Sequence, residues 1–172
     1  MTMSAGLLPE FDQEMTKTRK VLERVPDDRW QWQPHAKSKA MGPLASHIAD
    51  IPRHAVDVLE KESLDVAPQA GGPPRPPRTP PATSRQELLE RFDANVASAR
   101  TALAGATDEQ LVQPWSLIAG GHTLANLPRI GAIRTLLMSH IVHHRAQLGL
   151  YLRMNDIPVP AIYGPSADEA VA

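Results

Sequence analysis

Residues 128–154 read Pro128-Arg-Ile-Gly-Ala-Ile-Arg-Thr-Leu-Leu-Met138-Ser-His140-Ile-Val-His143-His144-Arg145-Ala-Gln147-Leu-Gly-Leu-Tyr-Leu-Arg-Met154. Apolar side chains at Ile130, Ile133, Leu136, Leu137, Met138, Ile141, Val142, Leu148, Leu150 and Leu152 recur at helical spacing and surround most of a helix. A helix apolar on nearly all sides is expected to be central and buried. Asn155 is a candidate left-handed stop, with Pro158 just beyond it. The pattern predicts one long helix from about Pro128 to Met154.

Three further helices are predicted upstream. From about Leu7 to Val25, Phe11, Met15, Val21, Leu22 and Val25 keep helical spacing until Pro26 breaks it. A second helix begins near Pro43, a residue suited to a first turn, and runs to about Leu64. Pro52 lies inside it and should kink it. Ser84-Arg-Gln-Glu87 matches a capping box and opens a third helix that reaches about Leu103. Thr107 to Gln110 reads as a second, weaker cap.

Between these, residues 27–40 and 112–126 read as irregular. The first holds Trp30 and Trp32, the second Trp115 and the Gly120-Gly121 pair. Residues 68–81 contain seven prolines, which excludes helix and central strand. A Pro-rich loop is expected at about 66–83. Its Pro74-Arg-Pro-Pro77-Arg78 resembles a P-x-x-P ligand, but a stiff surface loop explains it. No segment has a convincing strand period. The expected fold is all-α, a four-helix bundle forming a single domain over residues 1–172.

Composition narrows the function. The chain has 18 basic and 19 acidic residues, so no basic excess points to a duplex-binding surface. It has no cysteine, which excludes disulfides, thiolate ligands and a cysteine nucleophile. No stretch is long and apolar enough for a membrane span, and the first residues lack a signal-peptide pattern. A soluble, cytoplasmic protein is the expectation.

The chemistry sits in the histidines. His140 and His144 are four apart, so on a helix they share one face, separated by about 6 Å of axial rise. Two imidazoles so placed can converge on one metal ion. His143 should point elsewhere. A third ligand must come from another helix. His47, among Leu44, Ala45, Ile48 and Ile51, is the first candidate and His54 the second. His35 and His122 lie in irregular segments. A histidine on an apolar face is commonly a core residue with a hydrogen-bond partner. Three unpaired buried imidazoles, however, would cost several kcal/mol of desolvation, and a shared metal relieves this. The H-E-x-x-H protease pattern fails, because Ile141 stands where its Glu would be. Gly120-Gly121 is followed by no phosphate-loop Lys-Ser/Thr.

Other polar residues have plainer readings. Asp50, one turn from His47, could act as a base, but a solvated or capping role is the commoner one. Gln147, one turn from His144, could orient that ring or bond another helix. Asp168 and Glu169 read as solvated, Arg145 and Arg153 as ordinary ion-pair partners, and the three tryptophans as core or rim packing.

Leu44-Ala-Ser-His47-Ile-Ala, His140-Ile-Val-His-His144-Arg-Ala-Gln147-Leu and Tyr151-Leu-Arg together resemble the DinB-like superfamily of metalloenzymes. The stretches Glu10 to Arg19 and Val159-Pro-Ala-Ile-Tyr163-Gly-Pro-Ser-Ala-Asp-Glu169 are similar to it too. The likeness covers nearly the whole chain; Ala146 departs from it where relatives often carry glycine. It implies an up-down-down-up four-helix bundle, a metal site at His47, His140 and His144, and often a homodimer. It implies one divalent transition metal, such as Zn, Ni, Mn or Fe. The activity it implies is a metal-dependent transferase or isomerase that uses a low-molecular-weight thiol; a small-molecule thiol and an electrophile are the expected partners, and charge and hydropathy give no expectation of a nucleic-acid or membrane partner. A metal-dependent hydrolase, and a stress-related binding protein with a structural metal, are the alternatives.

Overall fold

The computed structural model describes residues 2–67 and 79–170. The Pro-rich reading falls mostly on 68–78, outside the described residues, as does the P-x-x-P segment.

Helix α1 is Met3–Leu22, capped by the Thr2 side chain, which accepts from the Ala5 N–H. The predicted second helix is two pieces, α2 (Met41–Asp50) and α3 (Arg53–Glu60), broken at Ile51-Pro52. Proline has no N–H to donate, so the expected kink is a full interruption. Helix α4 is Arg85–Gly105. Ser84 Oγ accepts from the Glu87 N–H, while the Glu87 carboxylate reaches back to the Thr83 N–H and hydroxyl. The box thus closes one residue earlier than the usual pattern. Helix α5 (Asp108–Val112) is capped by Thr107, as its sequence predicts.

The predicted fourth helix extends over Arg129–Met154 without a gap, but its winding changes. Helix α6 (Arg129–Ile133) passes into a π-helical stretch, Arg134–Ser139, and then α7, His140–Met154. The wider turns shift the face of α7 relative to α6, and such bulges often mark functional positions. Only one side of α7 is buried, through Ile141, Arg145, Leu148, Tyr151 and Leu152. Leu150 is 60% exposed and Met154 53%, so the expectation of burial all round is too broad. Among longer helices, α7 packs on α1 and α2, which leaves a side for solvent. The left-handed stop is Asp156 (φ 57°), not Asn155 (φ −110°). Ile157 N–H bonds Leu152 O and Asp156 N–H bonds Arg153 O, the Schellman pattern, displaced by one residue.

The all-α expectation needs a correction. The chain is mostly helical but carries a three-stranded sheet in the order β1-β2-β3: Ser63–Asp65, Pro114–Ala119 and His122–Pro128. Strand β1 runs parallel to β2, and β2 pairs antiparallel with β3. Gly120 (φ 59°) and Gly121 (φ 82°) form the two-residue turn between β2 and β3. Positive φ at both turn positions suits the right-handed twist of a hairpin, and glycine adopts it without steric cost. Trp115 on β2 is buried, so it is core rather than rim.

Helix α4 packs against α1, α2 and α3 around a core that includes Phe11, Leu22, Ile48, Leu88, Phe92 and Ile141. No described helix is long and apolar enough to cross a membrane.

The irregular segment at 27–40 has a definite task. No side chain caps α2. Instead the carbonyls of Trp32 and Trp30 accept the N–H groups of Met41 and Gly42, each at 2.8 Å. This brings the buried Trp30 indole onto α2. A Cβ at Gly42 would lie 2.1 Å from Trp30 Nε1. Gly42→Ala is therefore expected to destabilise by about 1–3 kcal/mol through overpacking, although alanine is the better helix former by about 1 kcal/mol. A urea melt checks this; an unchanged or raised midpoint would show that the indole moves aside freely.

Candidate metal centre

His47 projects from the second turn of α2, and His140 and His144 from the first two turns of α7. The α2–α7 packing brings the three rings together. Their centroids are 5.0 Å (His47–His140), 4.6 Å (His47–His144) and 4.7 Å (His140–His144) apart. His140 Nε2 lies 3.2 Å from His47 Nε2 and 2.9 Å from His144 Nε2. One nitrogen from each ring falls within a 4.8 Å cluster, so these three histidines are positioned to hold a metal ion. An ion bound to imidazole at about 2.0–2.1 Å sets two such nitrogens roughly 2.9–3.4 Å apart, from octahedral to tetrahedral. Both Nε2–Nε2 separations from His140 fall in that span.

The other ring nitrogens settle what the Nε2 atoms offer. His140 Nδ1 is 3.2 Å from the Leu136 carbonyl, and His144 Nδ1 is 2.7 Å from Gln147 Oε1. Both partners accept, so each Nδ1 carries its hydrogen and each Nε2 presents a lone pair. Two lone pairs facing each other at 2.9 Å repel unless a cation or a proton lies between them. Gln147 thus orients a ring, one of the two roles open to it from sequence.

Protonation is a poor solution at this site. Burial, then the charges of His144, His140, Lys39 and His54, pushes His47 down to about 3. Burial also lowers His140, against the Leu136 hydrogen bond, and lowers His144, against the Gln147 bond. The groups acting on this trio are histidines, Lys39 and those two bonds; no carboxylate is among them in the described residues. All three imidazoles stay neutral near pH 7, as metal ligands must be.

A stability profile follows. For His47, the unfolded chain binds a proton near pH 6.5 and the folded chain only near 3. Between these values the unfolded state holds more protons, so stability rises with pH across that window. His140, His144 and His54 share the sign. Metal-free protein is expected to melt at lower urea at about pH 4.5 than at about pH 7.5. Equal midpoints would show that the rings are not buried in solution.

The remaining candidates separate from the trio. The His54 ring stacks on His140 at a centroid distance of 6.1 Å, but its nitrogens stay outside the ligand cluster. His143 is exposed, edge-on to His144, pointing off the shared face as its position predicts. His35 and His122 are exposed and not in the cluster. Asp50 is paired with Arg91 at 3.9 Å and does not act on the three rings. Burial raises its pKa, opposed by Arg91 and Arg53.

Three readings of polar residues need correction. Arg145 does form an ion pair, with Glu14, but a buried one: it is 3% exposed and also bonds Thr18 and Tyr163. Asp168 and Glu169 are not merely solvated. Asp168 accepts from Arg153 and the Val159 N–H, and Glu169 from Arg24 and the Ala161 N–H. Two surface cavities lie away from the three histidines: one of about 450 Å³ between α1 and this following segment, and one of about 370 Å³ among α1, the π-helical stretch, the start of α7 and Tyr163.

A mostly helical chain that gathers three neutral imidazoles from two packed helices defines a class of protein equipped to hold a metal ion. The sequence pattern of the DinB superfamily matches residues 10–148, and the chain belongs to that superfamily. Two crystal structures share its fold. A DinB-like protein from Bacillus cereus is 19% identical, with a TM-score of 0.71 over 94% of this chain and 98% of the other. A DinB-like protein from Bacillus subtilis is 16% identical, with a TM-score of 0.66 over 91% and 96%. No curated protein matches in sequence.

Proposed function

We propose that His47, His140 and His144 hold one divalent transition metal and that the protein is a metal-dependent transferase that uses a small-molecule thiol. The observation that carries the metal reading is the facing pair of Nε2 lone pairs, with both Nδ1–H groups already committed. The donors are all imidazole, which suits Zn, Ni or Fe, and also Mn where other ligands are oxygen. When bound, such an ion lowers the pKa of a ligated thiol or water and polarises a carbonyl.

The chain's own residues supply orientation. Leu136 O and Gln147 Oε1 fix the tautomers of His140 and His144. Lys39 adds positive charge near His47 and His144, favouring an approaching anion such as a thiolate. The absence of cysteine means that the thiol comes from outside. The hydrolase alternative is less well supported, since a water route benefits from a carboxylate base and Asp50 faces Arg91 instead. A single domain on a four-helix, up-down-down-up framework, a homodimer and a cytoplasmic setting complete the proposal.

Metal removal tests it. The purified protein is expected to contain one divalent ion per chain. Chelation should empty the site while the helical circular-dichroism signal persists, and thiol-dependent consumption of an electrophile should need the ion. Unfolding on chelation would instead mark a structural metal. Failure to take up Zn, Ni, Mn or Fe would sink the metal reading.

A further inference from the structure

We infer that Tyr163, acting through Arg145, is a positioning residue for the three-histidine site: its hydroxyl helps set the rotation of α7 and so where His140 and His144 aim. The inference rests on the metal reading for its significance, but its geometry stands apart from any ion.

Arg145 follows His144 directly on α7. Its Nη1 donates to Glu14 O and Thr18 Oγ1, both at 3.1 Å. Its Nη2 donates to Glu14 Oε2 and to Tyr163 Oη, both at 2.6 Å. The Tyr163 hydroxyl in turn donates to Glu14 Oε2 at 2.7 Å. Guanidinium, carboxylate and phenol form a closed triangle linking α7, α1 and the segment after α7. The apolar contacts of Ile141, Leu148 and Leu152 tolerate small rotations, because dispersion is not directional. A planar guanidinium fork with four bonds is directional and does not.

The lever is long. An imidazole nitrogen sits roughly 7 Å from its helix axis, so about 10° of rotation displaces it by about 1 Å. Metal–ligand distances tolerate only about 0.2 Å. A modest slackening of the α7 anchor would therefore spoil the convergence of the Nε2 atoms.

Tyr163 is held for this task by its own segment. Arg153 and the Val159 N–H bind Asp168, Arg24 and the Ala161 N–H bind Glu169, and Ser166 Oγ donates to Val159 O. Lys17 Nζ lies 4.1 Å above the ring. The residue is 65% exposed; its hydroxyl enters the buried network, and its ring faces the Arg145 guanidinium at 5.2 Å, a contact that phenylalanine keeps. Tyr163→Phe thus removes one oxygen without opening the core.

The test uses the full chain with ring-¹⁵N-labelled histidine, first without metal and then titrated with Co²⁺ against a competing chelator. In metal-free Tyr163→Phe, the ring-nitrogen resonances of His140 and His144 are expected to move and those of His35 and His122 to stay. Co²⁺ affinity is expected to fall about tenfold, the lower end for loss of an outer orienting partner. Leu117→Ala in the hairpin, a destabilising control, should leave all these resonances in place. Unmoved resonances in Tyr163→Phe, or equal movement in Leu117→Ala, would overturn the inference. If the rings respond as expected but wild type takes no Co²⁺, the positioning holds and the metal reading fails.

Discussion

His140→Ala abolishes metal binding, while His54→Ala leaves it nearly intact: this is the expected result that most sharply divides the histidines. His140 Nε2 lies between the other two, 3.2 Å from His47 Nε2 and 2.9 Å from His144 Nε2. Removing it leaves two donors and a gap at the centre. Loss of an outer orienting partner costs roughly 10–100-fold in affinity, so loss of this ligand should exceed that range. His54 has a buried Nδ1 with no hydrogen bond among the described residues, only Asp57 Oδ2 at 3.9 Å, and a ring stacked on His140, which makes it the natural rival. Its nitrogens nevertheless lie outside the cluster. Elemental analysis and chelator competition on the two variants decide the matter. Equal loss in both would assign His54 a ligand's role and displace the trio.

Arg145→Met is expected to destabilise the fold by about 3–5 kcal/mol, the usual cost of stranding one member of a buried ion pair. The stranded member is Glu14, 7% exposed, left with the Tyr163 hydroxyl and with Lys17 at 3.5 Å. Burial pushes the Glu14 carboxyl up, but hydrogen bonds from Tyr163 and Arg145 and the charges of Arg145 and Lys17 outweigh it. Its folded pKa therefore lies below the ordinary value. The pair's contribution is complete above the ordinary carboxylate pKa and is lost as pH falls through the depressed one. The Arg145→Met deficit should accordingly shrink in acid. The double variant Glu14→Leu/Arg145→Met should recover much of the stability, because an apolar replacement removes both desolvation penalties. A urea series on the three proteins reads this out. A single variant within about 1 kcal/mol of wild type would show that the pair is solvated.

Several helix boundaries are legible in the chain itself, although the second helical stretch ends at Glu60 rather than near Leu64, which lies in β1. Caps and breakers act through neighbouring backbone, so Thr107, Ser84 and Pro52 announce their roles within a few residues. The spacing of His140 and His144 follows from the helical period alone, which is why their shared face needed no structure. The hairpin leaves a fainter trace in the chain. Gly120-Gly121, flanked by Trp115-Ser-Leu-Ile and His122-Thr-Leu, is a two-residue turn signal, masked by weak alternation in short strands.

Tertiary structure decided the rest, because the deciding interactions join residues far apart in sequence. His47 and His54 sit on similar faces of one sequence pattern; the break at Ile51-Pro52 and the packing of α2 on α7 bring only His47 into the cluster. The π-helical stretch before His140 has no residue signature in the chain. The burial of the Arg145 ion pair has no local signal, since Glu14 and Tyr163, 131 and 18 residues away, close around it. Local backbone chemistry wrote the elements and the pair of ligands; long-range packing selected the third ligand and buried the charge beside it.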